Sequence, residues 1–134
     1  MLDIPINWWA VLVAAVVGYL IGAVWYAPPV LGNRWLAALG KSRDQLGSPA
    51  IPMAMQFLVT VVMAIVLAAI VARFGAVDAV QGARVGFIVA VGLIGASMLT
   101  DWLFSGWSMR LFWIQCGYKV VFITVMGAIL GAWR

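Results

Sequence analysis

The side chains that could carry chemistry in this sequence are few. No histidine and no glutamate occur, which removes imidazole bases, most metal sites and any acid–base pair of glutamates. Two charges stand out because the sequence around them is apolar: Asp101, shortly before the turn at Ser105 and Gly106, and Lys119, shortly after it. Charge set in membrane-grade sequence is costly, so it marks a function or a specific partner. Thr100 adjoins Asp101 and Tyr118 adjoins Lys119, yet no nucleophile–base–orienter spacing and no ligand cluster accompanies them. The reading is therefore no enzyme, no metal and no cofactor. Cys116 stands alone, can form no internal disulfide and reads as a small packing residue.

The elements that must position these residues are apolar helices. Of 134 residues, 66% are hydrophobic and only 9% charged, with a mean hydropathy of +1.12; a soluble domain carries roughly 25% charged residues. The formal net charge is +4, but the basic residues sit singly at the ends of apolar runs, where anchors and topology determinants belong, and nucleic-acid binding is excluded on that ground. The composition predicts one all-α domain of four membrane spans, over about 8–26, 52–72, 84–104 and 111–133, with an interfacial loop over 27–51. The first run is too long for a signal-peptide core and has no basic segment before it, so it reads as a retained span. Asn7 is a plausible N-cap for it, and Pro28 and Pro29 end it. Arg34 to Leu39 has the mix of an interfacial half-helix, and Ser42 with Gln45 fits a capping box. Gly75 to Gly82, with Asp78 and Gln81, reads as a short polar turn.

Small residues at intervals of four mark helix contacts, since in lipid close backbone approach replaces the missing hydrophobic drive. Ala14, Gly18 and Gly22 form one such stripe, Ala64, Ala68 and Ala72 a second, and Gly127 with Gly131 a third. The tryptophans test the parse independently, because indole rings favour the membrane–water boundary. Trp8, Trp9 and Trp133 fall at one boundary, and Trp25, Trp35, Trp102, Trp107 and Trp113 at the other. Four spans joined by two short turns and one long loop give an antiparallel bundle with both termini on one side. Arg34, Lys41, Arg43 and Arg110 against Arg73, Arg84 and Arg134 give a small excess that turns the long loop to the cytoplasm and the termini away from it. A faint repeat, Gly18 with Ile21-Gly22-Ala23 against Gly92 with Ile94-Gly95-Ala96, and Gln56 against Gln115, would make the bundle two tandem helical hairpins.

The chain resembles the bacterial membrane family called domain of unknown function 1761. The resemblance is carried by Ile6-Asn7-Trp8 with Ala10 to Ala15, by Gly22-Ala23 with Trp25-Tyr26 and Pro28, and by Leu111-Phe112, Ile114, Gly117-Tyr118 and Met126 to Gly131. It implies a small integral protein of the bacterial inner membrane and assigns no activity. Members of that family often carry an acidic residue where Gln115 stands and an aromatic one where Lys119 stands.

By helical rise, Tyr19, Gln56, Thr60, Ser97, Thr100, Asp101, Gln115, Tyr118 and Lys119 share one half of the bilayer, while the other half holds little that is polar beyond Thr124, whose hydroxyl can bond back to its own helix. Such a bundle is polar at one mouth and dry at the other, which opposes a continuous pore. The expectation is a packing or binding module with a one-sided polar pocket for a lipid headgroup or small amphiphile, formed by Tyr19, Gln56, Ser97, Asp101, Gln115, Tyr118 and Lys119. The alternatives are a small-molecule transporter working as an oligomer and a purely structural subunit of a membrane complex. The expected partners are the bilayer and a second copy or another membrane protein. Lys119 is expected to be satisfied by Asp101 with Gln115 in support, the competing arrangement sending Lys119 to headgroup water and pairing Asp101 with Arg110.

Overall fold

The structure is a computed structural model and describes residues 5–41, 47, 50–106 and 108–133. Among the described residues there are five helices: α1 (Trp8–Trp25), α2 (Asn33–Leu39), α3 (Ala50–Arg73), α4 (Ala79–Ser105) and α5 (Met109–Ala132). Four of them, all but α2, are long and apolar enough to cross a membrane. The ranges follow the apolar runs, but α3 starts earlier than expected, and α4 starts at Ala79 rather than Arg84.

Each start has a local cause. The Asn7 carboxamide oxygen accepts from the Trp9 and Ala10 amides at 3.1 and 3.3 Å, covering two of the donors that a helix start leaves free. Asp78 does the same for α4, accepting from the Gln81 amide at 2.8 Å while the Gln81 side chain accepts from the Val77 amide at 2.9 Å. This reciprocal pair turns the expected polar turn into a helix start. Ser108 caps α5 by accepting from Leu111 at 3.1 Å, and Gly106, at a φ of 69°, closes α4 in the left-handed region. Between α1 and α2 the chain makes a π-helical turn, Pro28–Gly32. Arg34 to Leu39 is helical, whereas the Ser42 and Gln45 capping box lies outside the described residues, as does Trp107.

Contacts fix the helix directions. Gly18 faces Met126 and Gly22 faces Tyr118, so α1 runs antiparallel to α5; Gly82 meets Gly127 and Gly131 while Gly86 meets Ile123, so α4 is antiparallel to α5 as well. Tyr19 meets Phe57, and Ala10 shares a small crevice with Ala68 and Ala72, which makes α3 antiparallel to α1. Asn7 donates to the Trp133 carbonyl at 3.4 Å, bringing the ends of the described chain together. We call this the terminal end. The opposite end, with Trp25, Tyr26, Trp35 and Gly106, is the aromatic end.

α5 is the axis. Half of its spanning residues are buried, against 11% of those in α4. Its Tyr118, Phe122 and Met126 face α1 with Ala14 and Ala15 beside them in one core, joined by Thr60, Ala64, Leu67 and Val71 of α3. Towards α4 it presents Cys116, Ile123, Gly127 and Gly131. At the terminal end this second contact is backbone on backbone: a Cβ on Gly82 would overlap the Gly127 carbonyl oxygen, and one on Gly131 would stand 2.8 Å from the Gly82 Cα.

α4 changes character midway. Its inward residues, Gly82, Gly86, Ala90, Ile94, Met98 and Trp102, recur at strict intervals of four. In a helix of 3.6 residues per turn such a row drifts by about 40° each time. A π-helical segment, Ala90–Gly95, widens the turn and takes up part of that drift, keeping Met98 and Trp102 against Phe112 and Cys116. Beyond it, apart from Met98 and the partly buried Trp102, residues 96–105 are exposed.

Candidate functional site

The polar residues divide into two groups. The first gathers round Tyr118, buried at the aromatic end. Its ring stacks on Phe122 at 4.6 Å between centroids and meets Tyr26 edge-on at 5.4 Å, and Tyr26 in turn meets Trp35 of α2 at 5.3 Å. Trp25 lies 6.5 Å from Tyr118 and donates its indole N–H to the Ile114 carbonyl at 3.0 Å, tying the last turn of α1 to the second turn of α5. From α3 the Gln56 amide donates to the Tyr118 hydroxyl at 3.5 Å and to Thr60 Oγ1 at 3.3 Å, while Thr60 donates to the Gln56 carbonyl at 2.8 Å. Tyr19 touches Phe57 edge-to-face at 5.5 Å, one residue along from Gln56.

The second group stays apart. Ser97, Thr100 and Asp101 are all exposed on the far half of α4, where Thr100 donates back to the Ala96 carbonyl at 3.4 Å. Asp101 and Lys119 do not meet, and neither do Asp101 and Arg110: no ion pair within 4.0 Å forms among the described residues. Depth along the helix allows the pairing, but at that level α4 meets α5 through Met98 and Trp102, and Asp101 is on an exposed face of α4 outside that row, so similar depth does not bring the groups into contact. Thr124 also departs from expectation. Its hydroxyl is buried without a hydrogen-bond partner, beside the place where a Gly86 side chain would be.

Gln115 and Lys119 lie between the two groups and are both half-buried. Residues at i and i+4 share a helix face, so they form a strip of α5 running between the row facing α1 and the row facing α4. The Lys119 ammonium stands 5.9 Å from the centroid of its neighbour Tyr118, a weak cation–π distance. Towards the terminal end the strip is sealed by Phe122, Ile123 and Met126, none more than 2% exposed. Among the described residues no three His, Cys, Asp or Glu side chains come together. The chemistry on offer is hydrogen bonding, aromatic contact and one cation.

Two hollows have other positions. An apolar groove of about 330 Å³ runs along the outer face of α1 between Val17, Leu20, Ile21, Val24, Trp25 and Val30. A crevice of about 30 Å³ lies at the terminal end by Asn7, Ala68 and Trp133. Neither hollow is lined by the Tyr118 group, whose Gln56, Thr60 and Tyr118 close on one another. Reasoning from the sequence missed Tyr26, Trp25 and Trp35 as parts of this cluster, because a preference for the membrane boundary already accounted for them.

The small-residue stripes also have definite places. Ala14 is fully buried, Gly18 lies under Met126 and Phe122, and Gly22 lies under the Tyr118 ring; Gly127 and Gly131 face Gly82 and Gly86. Gly92, which the faint repeat equates with Gly18, has nothing within 4 Å of its added Cβ. Among the described residues Gln115 takes part in no hydrogen bond like those of Gln56. The two hairpins therefore put their matching residues in different surroundings.

An all-α chain with four long apolar helices, an aromatic cluster at one end and a glycine seam at the other is of the kind that fits a membrane. The chain belongs to the family described as protein of unknown function DUF1761, whose sequence model matches residues 9–131, nearly its whole length. No curated protein and no solved structure matches it.

Proposed function

We propose that this chain is a multi-pass protein of the bacterial cytoplasmic membrane, an antiparallel four-helix bundle acting as a packing or binding module whose aromatic end receives the headgroup of a lipid or small amphiphile. The observation that carries the reading is the strip of Gln115 and Lys119, half-buried near the aromatic end and followed towards the terminal end by the buried Phe122, Ile123 and Met126. A charge at that depth in an apolar bundle marks a ligand or partner. The backbone seam of Gly82, Gly86, Gly127 and Gly131 supports the same reading, because it leaves no room between α4 and α5 for a path to the terminal end. That argues against a monomeric transporter. A structural role beside a second copy or another membrane protein is favoured by one feature, the exposed far half of α4.

In this reading the long connection faces the cytoplasm and the termini face away. Single cysteines at Lys41 and Asp78, in a Cys116→Ala background, should react with an impermeant maleimide from opposite sides of sealed vesicles. Labelling from one side alone would sink the bundle topology. Release of the chain by alkaline carbonate would sink membrane integration.

A further inference from the structure

We propose that Lys119 is the counter-ion for the phosphate of an anionic phospholipid, which inserts its headgroup from the aromatic end onto the Gln115–Lys119 strip. This rests on the reading that the aromatic end receives an amphiphile headgroup, and it names the charge of that headgroup and the residue that holds it. The chain has four acidic side chains in all. Of the two that the structure describes, Asp78 caps α4 at the terminal end and Asp101 is exposed on α4 without an ion pair to Lys119. Among the described residues no carboxylate comes to this ammonium, and a counter-charge supplied from outside would satisfy it.

Depth argues for a lipid as the source. Lys119 lies ten residues beyond Met109, so its Cα is about 15 Å along α5. A helix of 24 residues spans about 36 Å against a hydrocarbon core of about 30 Å, which places that Cα roughly 12 Å inside the core. A lysine stem reaching about 6 Å leaves the ammonium still below the boundary. A lone ammonium there is costly, and a phosphate drawn down the strip offsets the cost with a charge-assisted hydrogen bond. Gln115, one turn nearer the aromatic end and half-buried, lies along the path with an amide to donate. Phe122, Ile123 and Met126 are buried beneath Lys119, which leaves no approach to it from the terminal side.

The test is native mass spectrometry of the whole chain in mild detergent, titrated in separate arms with phosphatidylglycerol, phosphatidylcholine and inorganic phosphate. The proposal expects phosphatidylglycerol to bind about tenfold more tightly than phosphatidylcholine, a difference of about 1.4 kcal/mol. Lys119→Met should abolish that preference and Lys119→Arg should keep it. The wild-type comparison needs no variant, so a folding defect in Lys119→Met leaves the proposal exposed to failure. Equal binding of the two lipids would overturn the anionic assignment while leaving a headgroup reading in place; binding of neither would overturn both. An unchanged preference in Lys119→Met would put the lipid elsewhere, and binding of inorganic phosphate as tight as that of phosphatidylglycerol would make the ligand a free anion. A dimer that dissociates on Lys119→Met and on Asp101→Asn alike would put the counter-ion on a second copy and overturn the lipid.

Discussion

Gly86 gives the sharpest test of what holds this bundle together. A methyl group added there would stand 2.6 Å from the Ile123 carbonyl oxygen and 3.2 Å from the Thr124 Cα, where ordinary contact begins near 3.4 Å. The obstacle is backbone, so no side chain can turn aside, and Gly86→Ala must part α4 from α5 by about 0.8 Å. A gap of that size forfeits a quarter to a half of the dispersion at each contact along the seam. Overpacking costs about 1–3 kcal/mol, and exchanging glycine for alanine returns at most about 1 kcal/mol of helix propensity. The balance is a loss of about 0–2 kcal/mol, which leaves Gly86→Ala about 1–3 kcal/mol below an alanine that meets no clash.

Gly92 supplies the control on the same helix, because nothing lies within 4 Å of its added Cβ; Gly92→Ala should be neutral or gain up to about 1 kcal/mol. Stability would be read from reversible unfolding in mixed micelles with increasing dodecyl sulfate. Gly127→Ala, whose methyl would overlap the Gly82 carbonyl oxygen and stand 3.2 Å from the Gly86 Cα, should lose at least as much as Gly86→Ala. The double variant should lose less than the two together, since one separation of the helices relieves both clashes. If Gly86→Ala proved as stable as Gly92→Ala, the seam would not be a close contact and the packing account would fail.

The same assay reads the remaining outcomes. Asn7→Ala gives up the cap of α1 and the link to Trp133 and should cost about 0.5–2 kcal/mol. Thr124→Val replaces a buried hydroxyl without a partner by a methyl of the same shape and should stabilise by about 1 kcal/mol; a loss would mean that the hydroxyl has a partner in the membrane. Tyr118→Phe surrenders one long hydrogen bond to Gln56 and should cost no more than about 1 kcal/mol, whereas Tyr118→Ala empties the aromatic cluster and should cost about 3–5 kcal/mol. Asp101→Asn, at an exposed residue without an ion pair, should stay within about 0.5 kcal/mol of the parent.

The four long helices were legible because apolar runs of that length, separated by Pro, Gly and charge, leave little freedom in where helices begin and end. The errors were local. The polarity of Asp78 and Gln81 suggests a turn and puts the start of α4 five residues late, although their spacing is that of a reciprocal cap. The π-helical segment over Ala90–Gly95 has no residue signature of its own. It follows from a register imposed by tertiary contact: Gly82 and Gly86 lock on Gly127 and Gly131 at one end while Met98 must still meet Phe112 and Cys116 at the other.

That register also explains why the expected polar site came apart. Counting residues gives depth along a helix at ~1.5 Å per step, and by depth alone Asp101 and Lys119 were fit partners. Lateral position depends on what holds each helix against its neighbour at that level. At the terminal end glycines hold α4 against α5 by backbone contact, but past Gly95 only Met98 is buried, with Ile94 and Trp102 partly so. Ser97 and Asp101 are therefore carried outward, whereas Gln56, Thr60 and Tyr118, on helices that share the α1–α3–α5 core, close on one another. Lys119 is left on the strip between those two outcomes, its helix fixed by the core and its would-be partner carried away on α4.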